Sequence, residues 1–363
     1  MAELDEYNRT NKFKKILKMS QIDALIITNG NNMRYLTTFT GGTGDGVVVG
    51  TQGKIYLITD SRYEEELKAL NHKLFELVIT RDYYQTAANI IKKNKLKTVS
   101  FEDDMQFKVF DLLDEIVIAN EFMPLPGLIE TMREIKTAEE LTKIKKACDI
   151  SIEAFKQLLL KVHVGMTEIE VANELDYLAR KLGAQKASFD TIVASGYRSA
   201  LPHGAASDKK IEKGDLVTID YGYYVDGYTS DITRTIAFGE IDAELLKIYD
   251  IVKVAQAKVL EKVAHERPLA ILDQTGRDYI TAMGYGKQFN HGMGHGIGLD
   301  IHEGPNIGRQ SDDEMLANNL LTIEPGIYLP TKGGVRIEDD IVVTKEGYLN
   351  LTAALTTDLI VIN

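Results

Sequence analysis

Short apolar runs rich in β-branched residues recur through the first third of the chain, at 22–28, 46–51, 54–60, 74–80 and 98–102. Runs of that length, bounded by Gly, Asn, Asp or Lys, predict β-strands. Between several of them apolar positions recur at helical spacing, over 61–70 and 83–93. Strands alternating with helices predict an α/β N-terminal domain. Ser61 is the expected N-cap of the first of these helices. Gly41, Gly42, Gly44 and Gly46 lack the Gly-Lys-Ser/Thr ending of a phosphate loop and predict a wide turn between strands. The stretch 122–128, with Pro124, Pro126 and Gly127, predicts a linker. The expected domains are therefore 1–125 and 126–363.

Beyond the linker the pattern turns helical. Thr137 with Glu140, and Thr167 with Glu170, each form a capping-box signature ahead of an amphipathic run. The second run ends at Gly183. From residue 188 the pattern changes to strands, over 188–195, 218–224 and 228–236. The last two are joined at Asp226-Gly227, a hairpin dipeptide. With the turn centred there, Asp231 stands opposite Gly222. Asp220 then lies diagonally across from Asp231 on the same face, about 7–8 Å away. Asp220 interrupts an apolar strand, and a buried unpaired carboxylate costs several kcal/mol. Glu324 ends another apolar strand in LLTIEPGIYLP, and Glu338 sits in GGVRIEDDIVVT, two residues after Arg336 on the same face. Asp339 and Asp340 read as structural or solvated acids.

Three of the seven histidines, His291, His295 and His302, fall in HGMGHGIGLDIHEGP at 291–305, in a run loosened by Gly292, Gly294, Gly296 and Gly298 and beside Glu303. Glycine lets backbone approach a ligand closely, and imidazoles on such a backbone suggest a metal, a catalytic site or both. His72, His163, His203 and His265 lie elsewhere. Asp220, Asp231, Glu324, Glu338 and His295 together make a carboxylate–imidazole set. Such a set suits hard-to-borderline divalent cations: manganese first, with cobalt or zinc as alternatives. Five side chains exceed the four ligands of a structural zinc, so two bridged cations with a water between them is the economical reading.

Composition narrows the classes. The net charge of −12 argues against a nucleic-acid footprint and against anionic membranes. Cys148 is the single cysteine, expected as a small buried hydrophobe, so no disulfide within the chain is possible and a reducing cytoplasm fits. No secretory leader and no apolar run near the roughly 18 residues of a spanning helix is seen.

The strand Asp220-Tyr221-Gly222, Asp231 with its following Thr-Arg-Thr, the run 291–305, Glu324-Pro325-Gly326 through Tyr328, and 334–340 together resemble the aminopeptidase P and prolidase family of dinuclear metallopeptidases. The resemblance implies a C-terminal α+β "pita-bread" domain with a curved, largely antiparallel sheet covered by helices. It implies that Asp220 chelates one metal, that Asp231 and Glu338 bridge two, and that His295 and Glu324 complete the other. It also implies His203, His302 and Glu324 as catalytic groups, and His291, Arg336 and Tyr328 as substrate-contacting. The first domain excludes a minimal methionine aminopeptidase, and the intact ligand set separates the chain from metal-free creatinase-like relatives. The resemblance to short bacterial Xaa-Pro aminopeptidases, carried by NNMRYLTTFTG and TDSRYEEE, implies release of an N-terminal residue before proline from short peptides. A dipeptide-only prolidase is the alternative, and a metal-free peptide-binding or scaffold protein the rival of another class. The resemblance also implies a homodimer or higher homo-oligomer.

Overall fold

The structure, a computed structural model, describes residues 2–68 and 74–363. His72 and the end of the helix predicted over 61–70 lie outside the described residues. The chain divides into two compact units, Met1–Arg133 and Glu134–Asn363.

The first unit runs α1 (Ala2–Met19), β1 (Ala24–Ile27), α2 (Gly30–Thr37), β2 (Gly46–Thr51), β3 (Ile55–Thr59), α3 (Glu64–Lys68), β4 (Glu76–Ile79), α4 (Tyr83–Lys93), β5 (Thr98–Phe101), α5 (Phe107–Ile116), β6 (Glu121–Pro124) and α6 (Leu128–Arg133). Its strands form one mixed sheet in the order β4-β3-β2-β1-β5-β6. Every residue of β1, β2 and β3 is buried, which is why they read as unbroken apolar runs. Ala87 and Ile91 of α4 pack on this sheet with Ile26, Val49 and Ile58.

Four expectations change in this unit. The segment expected as a linker instead supplies β6, which pairs parallel with β5. Pro124 is tolerated there because β6 is an edge strand. The units therefore part after Arg133 rather than at 125. Helix α6 belongs to the first unit, since Tyr35 donates to the Met132 carbonyl (3.0 Å) and Arg133 to Asn32 (2.7 Å). Ser61 caps nothing: α3 starts at Glu64, and Arg62 binds the Asp60 carboxylate through its backbone N–H and its guanidinium. The glycine-rich turn follows α2, not a strand.

The second unit runs α7 (Ala138–Leu159), α8 (Glu168–Lys181), β7 (Lys186–Ala187), β8 (Ile192–Ser195), β9 (Leu216–Tyr221), β10 (Tyr223–Tyr224), β11 (Ile232–Phe238), α9 (Ala243–Leu260), α10 (Ala270–Ala282), β12 (Gly294–Gly296), β13 (Glu303–Ile307), β14 (Leu320–Ile323), β15 (Gly326–Leu329), β16 (Gly333–Arg336), β17 (Asp339–Thr344), β18 (Gly347–Asn350) and β19 (Val361–Ile362). Both capping boxes form, at Thr137/Glu140 and Thr167/Glu170. One sheet has the order β19-β11-β9-β8 and a second, antiparallel throughout, has β13-β12-β14-β17-β18. Helices α7 and α8 cover the first sheet, packing Phe155, Val171 and Leu175 on Val193, Ile219 and Ile236. Helices α9 and α10 cover the second, with Ile248, Val252 and Leu272 on Leu321, Ile323 and Ile341. Each such side chain contributes about 1.5–3 kcal/mol on burial.

The β9/β11 register pairs Asp220 with Thr233 and Tyr221 with Ile232, the alignment expected from a turn at Asp226-Gly227. Asp226 (φ 52°) and Gly227 (φ 83°) both adopt the left-handed conformation that such a turn requires. The strands are shorter than expected. Pairing with β11 stops at Tyr221, and Tyr223–Tyr224 turn away to pair with β7. Among the described residues no helix is long and apolar enough to cross a membrane.

Candidate metal centre

The two sheets of the second unit meet at their acids. Glu338, in the step from β16 to β17, donates its backbone N–H to the Thr233 carbonyl on β11 (3.1 Å). Asp231, just before β11, donates its own to the Asp340 carboxylate at the start of β17 (2.9 Å). Asp220 comes from β9, and Glu324 follows β14, its N–H bonded to the Met293 carbonyl (2.9 Å). His295 is the middle residue of β12. Glycine on either side of it is a packing requirement: a Cβ on Gly294 would lie 2.0 Å from the Thr322 carbonyl oxygen, and one on Gly296 2.2 Å from that of Gly304. That close approach brings the imidazole over the carboxylates.

Ligand atoms of Asp231, His295 and Glu338 lie within 4.8 Å of one another. His295 Nε2 is 3.7 Å from Asp231 Oδ2 and 3.5 Å from Glu324 Oε1. Its Nδ1 is 3.0 Å from the Gly296 carbonyl, which accepts only a proton-bearing nitrogen. Nε2 therefore carries the lone pair and faces the acids, as a metal ligand requires. Burial holds the imidazole neutral, with its pKa down at about 4.

The carboxylates are an electrostatic problem without a cation. Asp231 and Glu338 are 5% and 2% exposed. Burial first, and then the neighbouring acids, push both carboxyls well above the usual range. Glu324 is raised to about 7, again chiefly by burial. Arg336 offsets part of the charge, its Nη2 2.6 Å from Asp220 Oδ2. The other oxygen of Asp220 is buried with no hydrogen-bond partner. Orphaned lone pairs beside mutually repelling acids and a bare imidazole nitrogen fit divalent cations.

The expected histidines gather at the same place. A cavity of about 710 Å³ is lined by His203, His291, His295, His302, Asp220, Asp231, Glu324, Arg336 and Glu338. Phe189, Ile192, Pro202 and Ile301 supply its apolar wall. The His295 and His302 rings meet edge to face at 4.5 Å. Tyr328 stands behind this lining. Its hydroxyl accepts from Arg336 Nη1 (2.8 Å) and meets His291 Nε2 (2.8 Å). His291 Nδ1 faces the Gly292 carbonyl (2.8 Å), so a single chain of hydrogen bonds runs from Arg336 through Tyr328 to His291. Burial lowers the His291 pKa to about 4.

Other contributors were not singled out as site residues, although Thr233 and Arg234 lie in the Thr-Arg-Thr that follows Asp231. Thr233 donates to Glu338 Oε2 (2.6 Å), and Thr322 accepts from the His295 N–H (3.1 Å). Arg234, 1% exposed, pairs with Asp339 at 2.7 Å, so Asp339 is a structural acid and not a solvated one. An arginine inside an apolar strand beside acids was the available signal for it. Cys148 is buried, as expected, and its thiol donates to Asp340 Oδ2 (3.4 Å).

Comparison with known proteins agrees with this architecture. Residues 9–135 match the creatinase/prolidase N-terminal domain, and residues 142–345 match metallopeptidase family M24. A Pyrococcus horikoshii protein named Xaa-Pro dipeptidase is 37% identical over 344 residues, covering 94% of this chain and 96% of its own. A Bacillus anthracis structure described as an Xaa-Pro dipeptidase superposes with a TM-score of 0.94 at 41% identity, covering 98% of this chain and all of that one. A Thermotoga maritima structure described as an X-Pro aminopeptidase gives 0.87 at 37% identity, covering 94% of this chain and 98% of its own. The chain therefore belongs to metallopeptidase family M24, a hydrolase whose peptidase domain follows a creatinase/prolidase N-terminal domain.

Proposed function

We propose that the chain hydrolyses the bond between an N-terminal residue and a following proline, with dipeptides as its preferred substrates. Two divalent cations would be held by Asp220, Asp231, His295, Glu324 and Glu338. The observation that carries this reading is the convergence of Asp231, His295 and Glu338, with ligand atoms within 4.8 Å, in a cavity with an apolar wall. A bound divalent pair supplies Lewis acidity and brings the pKa of a held water near neutrality.

The protein's own groups do the remainder. His203 and His302 line the cavity and can donate hydrogen bonds to a developing oxyanion. Glu324, next to His295, is placed to carry a proton from water to the leaving amine. Arg336 orients Asp220, and through Tyr328 it holds His291. Phe189, Ile192 and Pro202 offer a surface for a pyrrolidine ring.

The Xaa-Pro aminopeptidase reading expected from the sequence becomes the second reading. Relatives named Xaa-Pro dipeptidase match across nearly the whole chain at 37–41% identity, which supports the dipeptide. The X-Pro aminopeptidase of Thermotoga maritima supports the longer peptide. The test compares Ala-Pro with Ala-Pro-Ala, using chelator-stripped protein with and without added manganese. Metal-dependent cleavage with kcat/KM higher for Ala-Pro is expected. The reverse ratio moves the assignment to the aminopeptidase, and no cleavage of either removes both.

A further inference from the structure

His295 and His302 stand seven residues apart and are held in different ways. His295 is inside the sheet: Gly296 pairs with Leu321 of β14, and the His295 N–H binds Thr322. His302 lies in the turn between β12 and β13, outside any strand. That turn is built around the carboxylate of Glu303. Glu303 Oε1 accepts the Asp300 N–H at 2.9 Å, folding the side chain back into the turn. The carboxylate fills the space over Gly298 so tightly that a Cβ there would lie 2.7–2.9 Å from its atoms.

The other oxygen is bound from outside. Glu303 Oε2 accepts from Lys136 Nζ at 3.1 Å, with the two side chains 4% and 1% exposed. Lys136 precedes the capping box of α7, and its backbone N–H is fixed to the Asn318 carbonyl at 3.0 Å. A buried ion pair is a weak stability device, because well-packed apolar residues of similar volume often do as well. What this pair does is tie a turn carrying Ile301 and His302, both of which line the cavity, to the base of a capped helix.

We propose that Lys136 is a positioning residue: acting through Glu303, it sets the 298–303 turn so that His302 meets the substrate. This rests on the role given to His302 above. It also implies that the clamp serves the chemical step more than metal retention: Gly296 pairs with Glu303 on one edge, but Leu321 of β14 and the Thr322 hydroxyl hold His295 from the other.

The test uses full-length Lys136→Met/Glu303→Gln. This double variant removes the two charges of the pair together and keeps an acceptor for the Asp300 N–H; the two single variants are made beside it. kcat and KM for Ala-Pro and manganese affinity by calorimetry are measured in the wild-type and His302→Ala backgrounds. A displaced catalytic group costs on the order of 100-fold. We expect kcat to fall by about that factor in the wild-type background, manganese affinity to stay within about threefold, and no further fall in the His302→Ala background. Equal losses in both backgrounds, a loss that tracks metal affinity, or an unchanged kcat would overturn the proposal. A His302→Ala variant with wild-type kcat would overturn the role of His302 itself, and this proposal with it.

Discussion

Each unit of the chain buries acid, and the two do it differently. In the first unit Glu102 is 4% exposed, and burial raises its carboxyl to about 7. Both of its oxygens are satisfied: the Thr28 and Asn29 N–H groups bind Oε2 at 2.6 and 2.8 Å, and Asn32 binds Oε1 at 2.7 Å. In the second unit burial and then the neighbouring acids raise Asp231 and Glu338, burial chiefly raises Glu324, and an oxygen of Asp220 has no partner. A perturbed carboxyl therefore does not by itself mark a site. What separates the two is unmet coordination: Glu102 closes a structural network, whereas the acids of the second unit wait for positive charge.

The largest effect should come from breaking that cluster. Glu338→Gln keeps the shape and removes a charge. Lewis acidity is worth several kcal/mol, so turnover of Ala-Pro should fall roughly 1,000-fold or more, with metal content falling alongside. Full turnover in this variant would dissolve the contrast between the units. Arg336→Met should cost about 10- to 100-fold in manganese affinity or activity, because it frees both Asp220 and Tyr328. A manganese titration followed by initial rates checks this.

The counterpart in the first unit is Glu102→Gln. It should leave turnover and metal affinity unchanged and cost about 1–3 kcal/mol in urea unfolding, since an amide cannot accept on both sides. The smallest effect is a pH slope. A carboxyl raised from 4.5 to about 7 binds its proton more tightly in the folded state. The resulting stability is fully present below about pH 4.5 and is lost as pH rises through 7. The stability difference between wild type and Glu102→Gln should therefore shrink from pH 4.5 to 8; a difference that widens has the wrong sign.

Much of this architecture was legible along the chain because it depends on local rules. The capping boxes at Thr137 and Thr167 are four-residue devices, and both form. The Asp226-Gly227 turn set the β9/β11 register, and with it the approach of Asp220 to Asp231. The five candidate ligands were visible because acids in apolar strands and a histidine between glycines are costly without a function. What stayed hidden depends on distant partners. Pro124 reads as a chain breaker and becomes an edge strand, because β5 offers a mate that no local pattern announces. Glu102 looks like the end of a strand until residues near 30 converge on it. Lys136 and Glu303 are 167 positions apart, and nothing near either one signals the other.

The account stands or falls on whether the acids of the second unit enclose cations. Diffraction from crystals grown with manganese, recorded across its absorption edge, tests this most directly. The account predicts two anomalous peaks in the cavity, both among Asp220, Asp231, His295, Glu324 and Glu338. An ordered cavity with no peak, or manganese bound elsewhere while these side chains keep to protein partners, would contradict it.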